Sequence, residues 1–120
     1  MGKAILGARI LVMGMTFKEN VADIRNSKVV DIINELKDFG VEVDVVDPYA
    51  DPEEVKKMYG FRLIEKPLGI YDAVVVAVAH DAYQGLDEKY FKSLTCDKAV
   101  LVDVKGMYRD KIHELKYWSL

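Results

Sequence analysis

At 120 residues the chain is long enough for one domain with a single core. Its 51% hydrophobic and 31% charged residues exclude a disordered polymer. A net charge of −3, with both signs interspersed, argues against a nucleic-acid binder, which would carry a basic face.

Residues 1–8 include Lys3 but no apolar core of the kind a secretory leader needs. The first strand is expected at Arg9–Met13. A polar connection follows, Gly14 to Asn26, of about a dozen residues, where compact domains commonly use two to six. A connection that long at a strand end, carrying Lys18, Asn20, Asp23, Arg25 and Asn26, reads as a binding loop. From Ser27 to Phe39 the sequence predicts an amphipathic helix with Val29, Ile32, Ile33 and Leu36 inward and Lys28, Asp31, Glu35, Lys37 and Asp38 outward. Asp23, Asn26 or Ser27 would cap its start, and Gly40 suits the left-handed residue after its end.

Val41–Val46 alternates as a strand and stops at Asp47-Pro48. Asp51-Pro52-Glu53-Glu54 combines an N-cap, a proline at the first helical position and an early acid, so a second helix is expected up to Gly60. Phe61–Ile64 reads as a brief third strand, and Glu65–Asp72 as a connection. Ala73–Val78 is apolar on both faces, as in a central strand covered on each side. The apolar run Ala73–Ala79 is far shorter than the roughly 20 residues that cross a bilayer. Asp87–Leu94 is expected to be a third helix with Leu86, Tyr90, Phe91 and Leu94 inward. Val100–Val102 forms the last strand, ending in Asp103-Val104-Lys105-Gly106, and Arg109–Leu120 is left as a helical turn or an ordered arm.

Cys96 is the only cysteine, which excludes an internal disulfide and fits a reducing compartment, hence a cytoplasmic location; it reads as an incidental turn residue. Together with His80 and His113 it cannot furnish a tetrahedral zinc site.

Strands alternating with helices imply right-handed crossovers and an α/β fold: a three-layer, Rossmann-like half unit with a five-stranded, mainly parallel sheet in the order 3-2-1-4-5. Ligands of such sheets sit beyond the carboxyl ends of the strands where the strand order reverses. Gly14–Asn26, His80–Gln84 and Lys105-Gly106 would meet there. Lys18 and Arg25 lie in a loop feeding a helix N-terminus, where free N–H groups already favour an anion, and Lys105 would join them from the neighbouring strand. Three cations at one crevice of an acidic chain point to a ligand with at least two negative charges. Arg25 would either clamp a phosphate or pair with Asp23 to hold the loop.

Phe17 either faces a base or sugar or packs beneath the loop. His80 is the residue type of a general base, but the sequence offers it no nucleophile. Asp47 stands where dinucleotide folds place a ribose-gripping acid. However, Gly14-Met15-Thr16-Phe17-Lys18-Glu19 keeps only the first glycine of Gly-x-Gly-x-x-Gly, so Asp47-Pro48 reads as a turn.

Gly14-Met15-Thr16-Phe17-Lys18-Glu19-Asn20, then Asp23-Ile24-Arg25-Asn26-Ser27 and Val46-Asp47-Pro48-Tyr49, resemble the C-terminal domain of the UDP-glucose/GDP-mannose dehydrogenase family. Asp72–His80 resembles its central strand and Asp103-Val104-Lys105-Gly106 its last strand end, so nearly the whole chain is covered. The wording is most similar to bacterial members that oxidise UDP-N-acetylhexosamines for surface polysaccharides. The resemblance implies a homo-oligomeric parent enzyme in three parts: an N-terminal domain that binds NAD, a central helical region with the catalytic cysteine and lysine, and this domain, which grips the UDP half of a UDP-sugar. The parent would oxidise the sugar C6 alcohol to a carboxylate in two NAD-dependent steps through a covalent thiohemiacetal and thioester. By the match, Phe17, Lys18, Asn20, Arg25 and Lys105 are the expected UDP-site residues, with Arg25 ordering the loop or approaching the ligand.

The chain lacks both the nucleotide fingerprint and the Gly-Gly-x-Cys motif, and Cys96 is misplaced for the nucleophile. Residues 1–120 are therefore expected to be a single domain separated from its dehydrogenase, binding UDP without turnover, with no nucleic-acid or membrane partner. Tyr117-Trp118-Ser119-Leu120 has the look of a natural C-terminus. A self-sufficient nucleotide-binding module and a protein-interaction module are the rival expectations, and heat on titration with UDP separates the second from the first.

Overall fold

In the computed structural model, which describes residues 7–119, five strands pair into one parallel sheet. The strands are β1 (Arg9–Met13), β2 (Glu42–Val46), β3 (Tyr71–Val76), β4 (Thr95–Asp103) and β5 (Lys116–Ser119), in the order β2-β1-β3-β4-β5. Lys3, in the stretch read for a leader, and Leu120, in the expected C-terminal arm, lie outside the described residues. The expected class, the strand count and the reversal at β1 hold. The edge strands differ from expectation. Phe61–Ile64 is not a strand: it runs beside β2 with one ladder-like bond, Ile64 N–H to Val45 O at 2.9 Å. The tail supplies the fifth strand instead, with Leu101 opposite Tyr117 and Val102 opposite Trp118.

The helices form where their signals stand. Helix α1 spans Lys28–Asp38, and its end closes with two backbone bonds, Gly40 N–H to Lys37 O and Val41 N–H to Leu36 O. Helix α2 (Pro52–Tyr59) starts at Asp51, whose carboxylate accepts the Glu53 N–H at 2.9 Å, and ends at Gly60. Helix α3 spans Glu88–Ser93, with Asp87 as its cap. The pleat sends alternate residues of β1 to opposite faces. Val12 joins Val29, Val30 and Ile33 of α1 in one core, while Leu11 and Met13 join Phe91 of α3 and Tyr108 in the other. Ile32 corrects the expected buried stripe: it is 47% exposed, and Val30 is buried instead.

The tail is fastened by side chains rather than by a helix. The Glu88 carboxylate accepts the N–H groups of His113 (3.1 Å), Glu114 (2.7 Å) and Leu115 (2.9 Å). Asp103 accepts the Tyr117 hydroxyl at 2.5 Å and the N–H groups of Met107 and Tyr108. The N–H groups on Glu88, Leu115's foremost, hold its carboxyl below the ordinary glutamate range. A depressed carboxyl stabilises the fold fully above its unfolded pKa, and that contribution fades as pH falls through the folded value. Acidification is therefore expected to loosen β5, read as a change in the emission of Trp118, the chain's one tryptophan. Glu88→Gln should show the loosened signal already at neutral pH and lose that part of the acid transition.

Candidate functional site

Three strand ends bring their loops to one crevice of about 260 Å³. Phe17 and Lys18 come from the loop after β1, Ala77 and Val78 from the end of β3, and Val104 and Lys105 from the end of β4. Asn26, Lys28, Val29 and Ile32, at the start of α1, form the remaining wall. Lys18 and Lys105 thus share a cleft. Lys28 makes a third cation there, against a single acid, Glu19. Ser27, the N-cap, gives its hydroxyl to Met15 O at 2.6 Å and makes no side-chain cap to the helix. The start of α1 therefore lines the same cleft as three lysines, an arrangement suited to a phosphate-like anion. Phe17 is 55% exposed at the rim, so of its two readings the packed one fails, and with Ile32 it gives the cleft an apolar flank.

The loop that carries Phe17 and Lys18 is held by two buried side chains from other strands. Asp47, at the end of β2, has a fully buried carboxylate. Its Oδ1 accepts the N–H groups of Tyr49 (2.8 Å) and Ala50 (3.0 Å), and its Oδ2 those of Met15 (2.8 Å) and Thr16 (3.3 Å). His80, past the end of β3, is also fully buried and lies 3.0 Å from Asp47 Oδ2 through Nε2. Its Nδ1 accepts the Asn20 N–H at 2.9 Å. Thr16 donates to Lys18 O, and the Phe17 N–H to Asp23 O, which closes the loop on itself.

Two of the expected site residues lie elsewhere in this arrangement. Asn20 does not line the cleft; it accepts the Asp81 N–H at 2.8 Å and holds a left-handed backbone at φ 61°. Arg25 takes the second of its two readings. Its guanidinium bonds Asp23 at 3.1 and 3.2 Å, which holds the Asp23 carboxyl below its ordinary range, and it faces Glu54 and Met58. Cys96 is in β4, not a turn, with Sγ 3.5 Å from Asp72. It stands at the opposite end of β4 from Lys105. Sequence reasoning missed Lys28 as a lining residue, although its place in the first turn of α1 was a usable signal. It also read Asp47 as a turn residue alone, whereas Asp47 serves the turn with one oxygen and the loop with the other.

A larger cavity of about 310 Å³ opens on the other face of the sheet, between Met13, Val46, Tyr83, Leu86 and Tyr90. Its one cation, Lys66, is offset by Glu65, so the anion chemistry belongs to the smaller cleft. Among the described residues no helix is long and apolar enough to cross a membrane.

Residues 11–110 match the family model described as "UDP-glucose/GDP-mannose dehydrogenase family, UDP binding domain". The chain is similar to a UDP-N-acetyl-D-glucosamine 6-dehydrogenase of Pseudomonas aeruginosa, 39% identical over 92% of this chain and 26% of the relative. It is also similar to Protein CapL of Staphylococcus aureus, 43% identical over 88% of this chain and 25% of that protein. The structure of a UDP-glucose dehydrogenase from the archaeon Pyrobaculum islandicum superposes with a TM-score of 0.71 at 31% identity, covering 94% of this chain and 25% of that one. The chain spans about a quarter of the length of each.

Proposed function

Because this chain belongs to the UDP-glucose/GDP-mannose dehydrogenase family, in the part described as its UDP binding domain, we propose that it forms the diphosphate-holding wall of a UDP-sugar 6-dehydrogenase. The parent enzyme would be NAD-dependent and would oxidise the sugar C6 alcohol to a carboxylate for polysaccharide precursors. A UDP-N-acetylhexosamine is the favoured substrate class, since relatives named for UDP-N-acetyl-D-glucosamine are 39% and 38% identical over most of the chain. The observation that carries the reading is the meeting of Lys18, Lys28 and Lys105 at the start of α1, in a chain whose net charge is −3. At about 260 Å³ the cleft is below the roughly 300–1,000 Å³ usual for ligand pockets, as befits one wall of a larger site.

NAD does not fit this domain. Thr16 and Glu19 occupy the second and third glycine positions of a dinucleotide loop, and Thr16 is buried. Asp47, the one acid placed to grip a ribose, is buried with both oxygens engaged by backbone N–H groups. The cofactor and the catalytic cysteine would come from other domains of the parent, with Cys96 at the wrong end of the sheet. This chain binds and orients, and the oxidation happens elsewhere. Cytoplasmic location and a homo-oligomeric parent belong to the same proposal.

Titration calorimetry tests it. UDP should give heat that uridine, lacking the charges, does not. Lys18→Ala should weaken UDP binding about tenfold, the scale of one charge-assisted hydrogen bond, while leaving the melting temperature unchanged. Equal heats for UDP and uridine, or an unchanged affinity in Lys18→Ala, would overturn the reading.

A further inference from the structure

We propose that His80 is a positioning residue for the nucleotide loop: a neutral imidazole, protonated on Nε2, that clamps residues 16–20 so that Phe17 and Lys18 face the cleft. The inference rests on the UDP reading above and adds a residue to it that does not touch the ligand. The geometry assigns the proton. Nδ1 accepts the Asn20 N–H at 2.9 Å, so that nitrogen carries no hydrogen. Nε2 must then be the protonated one, placed 3.0 Å from Asp47 Oδ2 and 3.2 Å from Thr16 Oγ1. The Thr16 hydroxyl gives its own hydrogen to Lys18 O at 2.9 Å, so its oxygen is free to accept. With this tautomer the one Nε2–H is shared between the Asp47 and Thr16 oxygens, and Nδ1 is left to accept from Asn20. An imidazolium would set an Nδ1–H against the Asn20 N–H.

The ring is walled in by Tyr49 and Tyr83, with centroids at 4.7 and 5.5 Å, and is fully buried, so it has no freedom to turn. Its bonds fall on both ends of the short run that presents Phe17 and Lys18: Thr16 before it and Asn20 after it. The Asp81 N–H to Asn20 Oδ1 bond, at 2.8 Å, doubles the hold on the far end. That double hold is the visible means by which Asn20 keeps its left-handed backbone. His80 therefore converts the position of the β3 end into the direction in which Lys18 points.

The two ring nitrogens can be separated by substitution. Asparagine offers an acceptor near Nδ1 and nothing at Nε2; glutamine offers an N–H near Nε2 and no acceptor at Nδ1. With the 120-residue chain, His80→Gln is expected to weaken UDP binding about tenfold, and His80→Asn to recover most of that loss. Ring nitrogen-15 shifts of the wild-type protein at neutral pH should show a neutral imidazole with its proton on Nε2. An Nδ1–H tautomer or an imidazolium would overturn the proposal, and this measurement decides even if His80→Gln does not fold. Wild-type affinity in His80→Gln, or a His80→Asn as impaired as His80→Gln, would overturn it while leaving the UDP reading intact. Absence of UDP binding by the wild-type chain would overturn the UDP reading, and this proposal with it.

Discussion

Asp47→Ala is expected to destabilise the domain by about 3–5 kcal/mol, seen as a lower denaturant midpoint with an unchanged slope. The carboxylate is buried and accepts four backbone N–H groups in addition to facing His80. Those donors belong to the loop after β1 and to the turn after β2. Alanine removes all the partners at once, and each buried donor left unpaired costs about 1–3 kcal/mol. Asp47→Asn is expected to be nearly as harmful. One amide oxygen would still accept, but the NH₂ group would confront either Met15 and Thr16 or Tyr49 and Ala50. A loss below about 1 kcal/mol in Asp47→Ala would mean that the loop holds itself, contrary to the arrangement described.

Gly14→Ala is the second large effect, about 3 kcal/mol, for a different reason. Gly14 lies at φ 93°, where a side chain costs about 1–2 kcal/mol, and an added Cβ would stand 2.7 Å from Val78 Cβ and 3.1 Å from Val78 N. Neither atom can withdraw, because both are fixed by the backbone at the end of β3. Val78→Ala should therefore not rescue Gly14→Ala, since Cβ and N remain. Thermal unfolding of the single and double variants measures this. The close approach packs the start of the loop against the Ala77–Val78 wall of the cleft, so the same glycine serves stability and the site.

Much of this was legible locally. Asp51-Pro52 announced α2, and the apolar run from Ala73 announced the central strand, because both signals act within a few residues. The tail strand was not legible. Lys116–Ser119 is short, and its docking depends on Glu88 and Asp103, which lie in other segments of the chain. Phe61–Ile64 has the composition of a strand but, among the described residues, makes one bond of the required kind. Ile32 followed the helical period and still faces outward, since that stretch of α1 borders the cleft rather than the sheet. Lys18 and Lys105 were readable as converging because strand order predicts which ends are neighbours. The Asp47–His80 pair was not, since it joins residues 33 apart through burial that no local pattern encodes.

The strand order has a bearing on how the chain can be made. After β1 and β2 pair, β3 attaches to the free side of β1, β4 to the outside of β3, and β5 to the outside of β4. Each newcomer lands on an open border, and none has to be inserted between strands already joined. A polypeptide leaving the ribosome from its N-terminus can thus extend the sheet in step with synthesis, without undoing earlier work. The Glu88 latch, made before the tail it captures, completes that sequence.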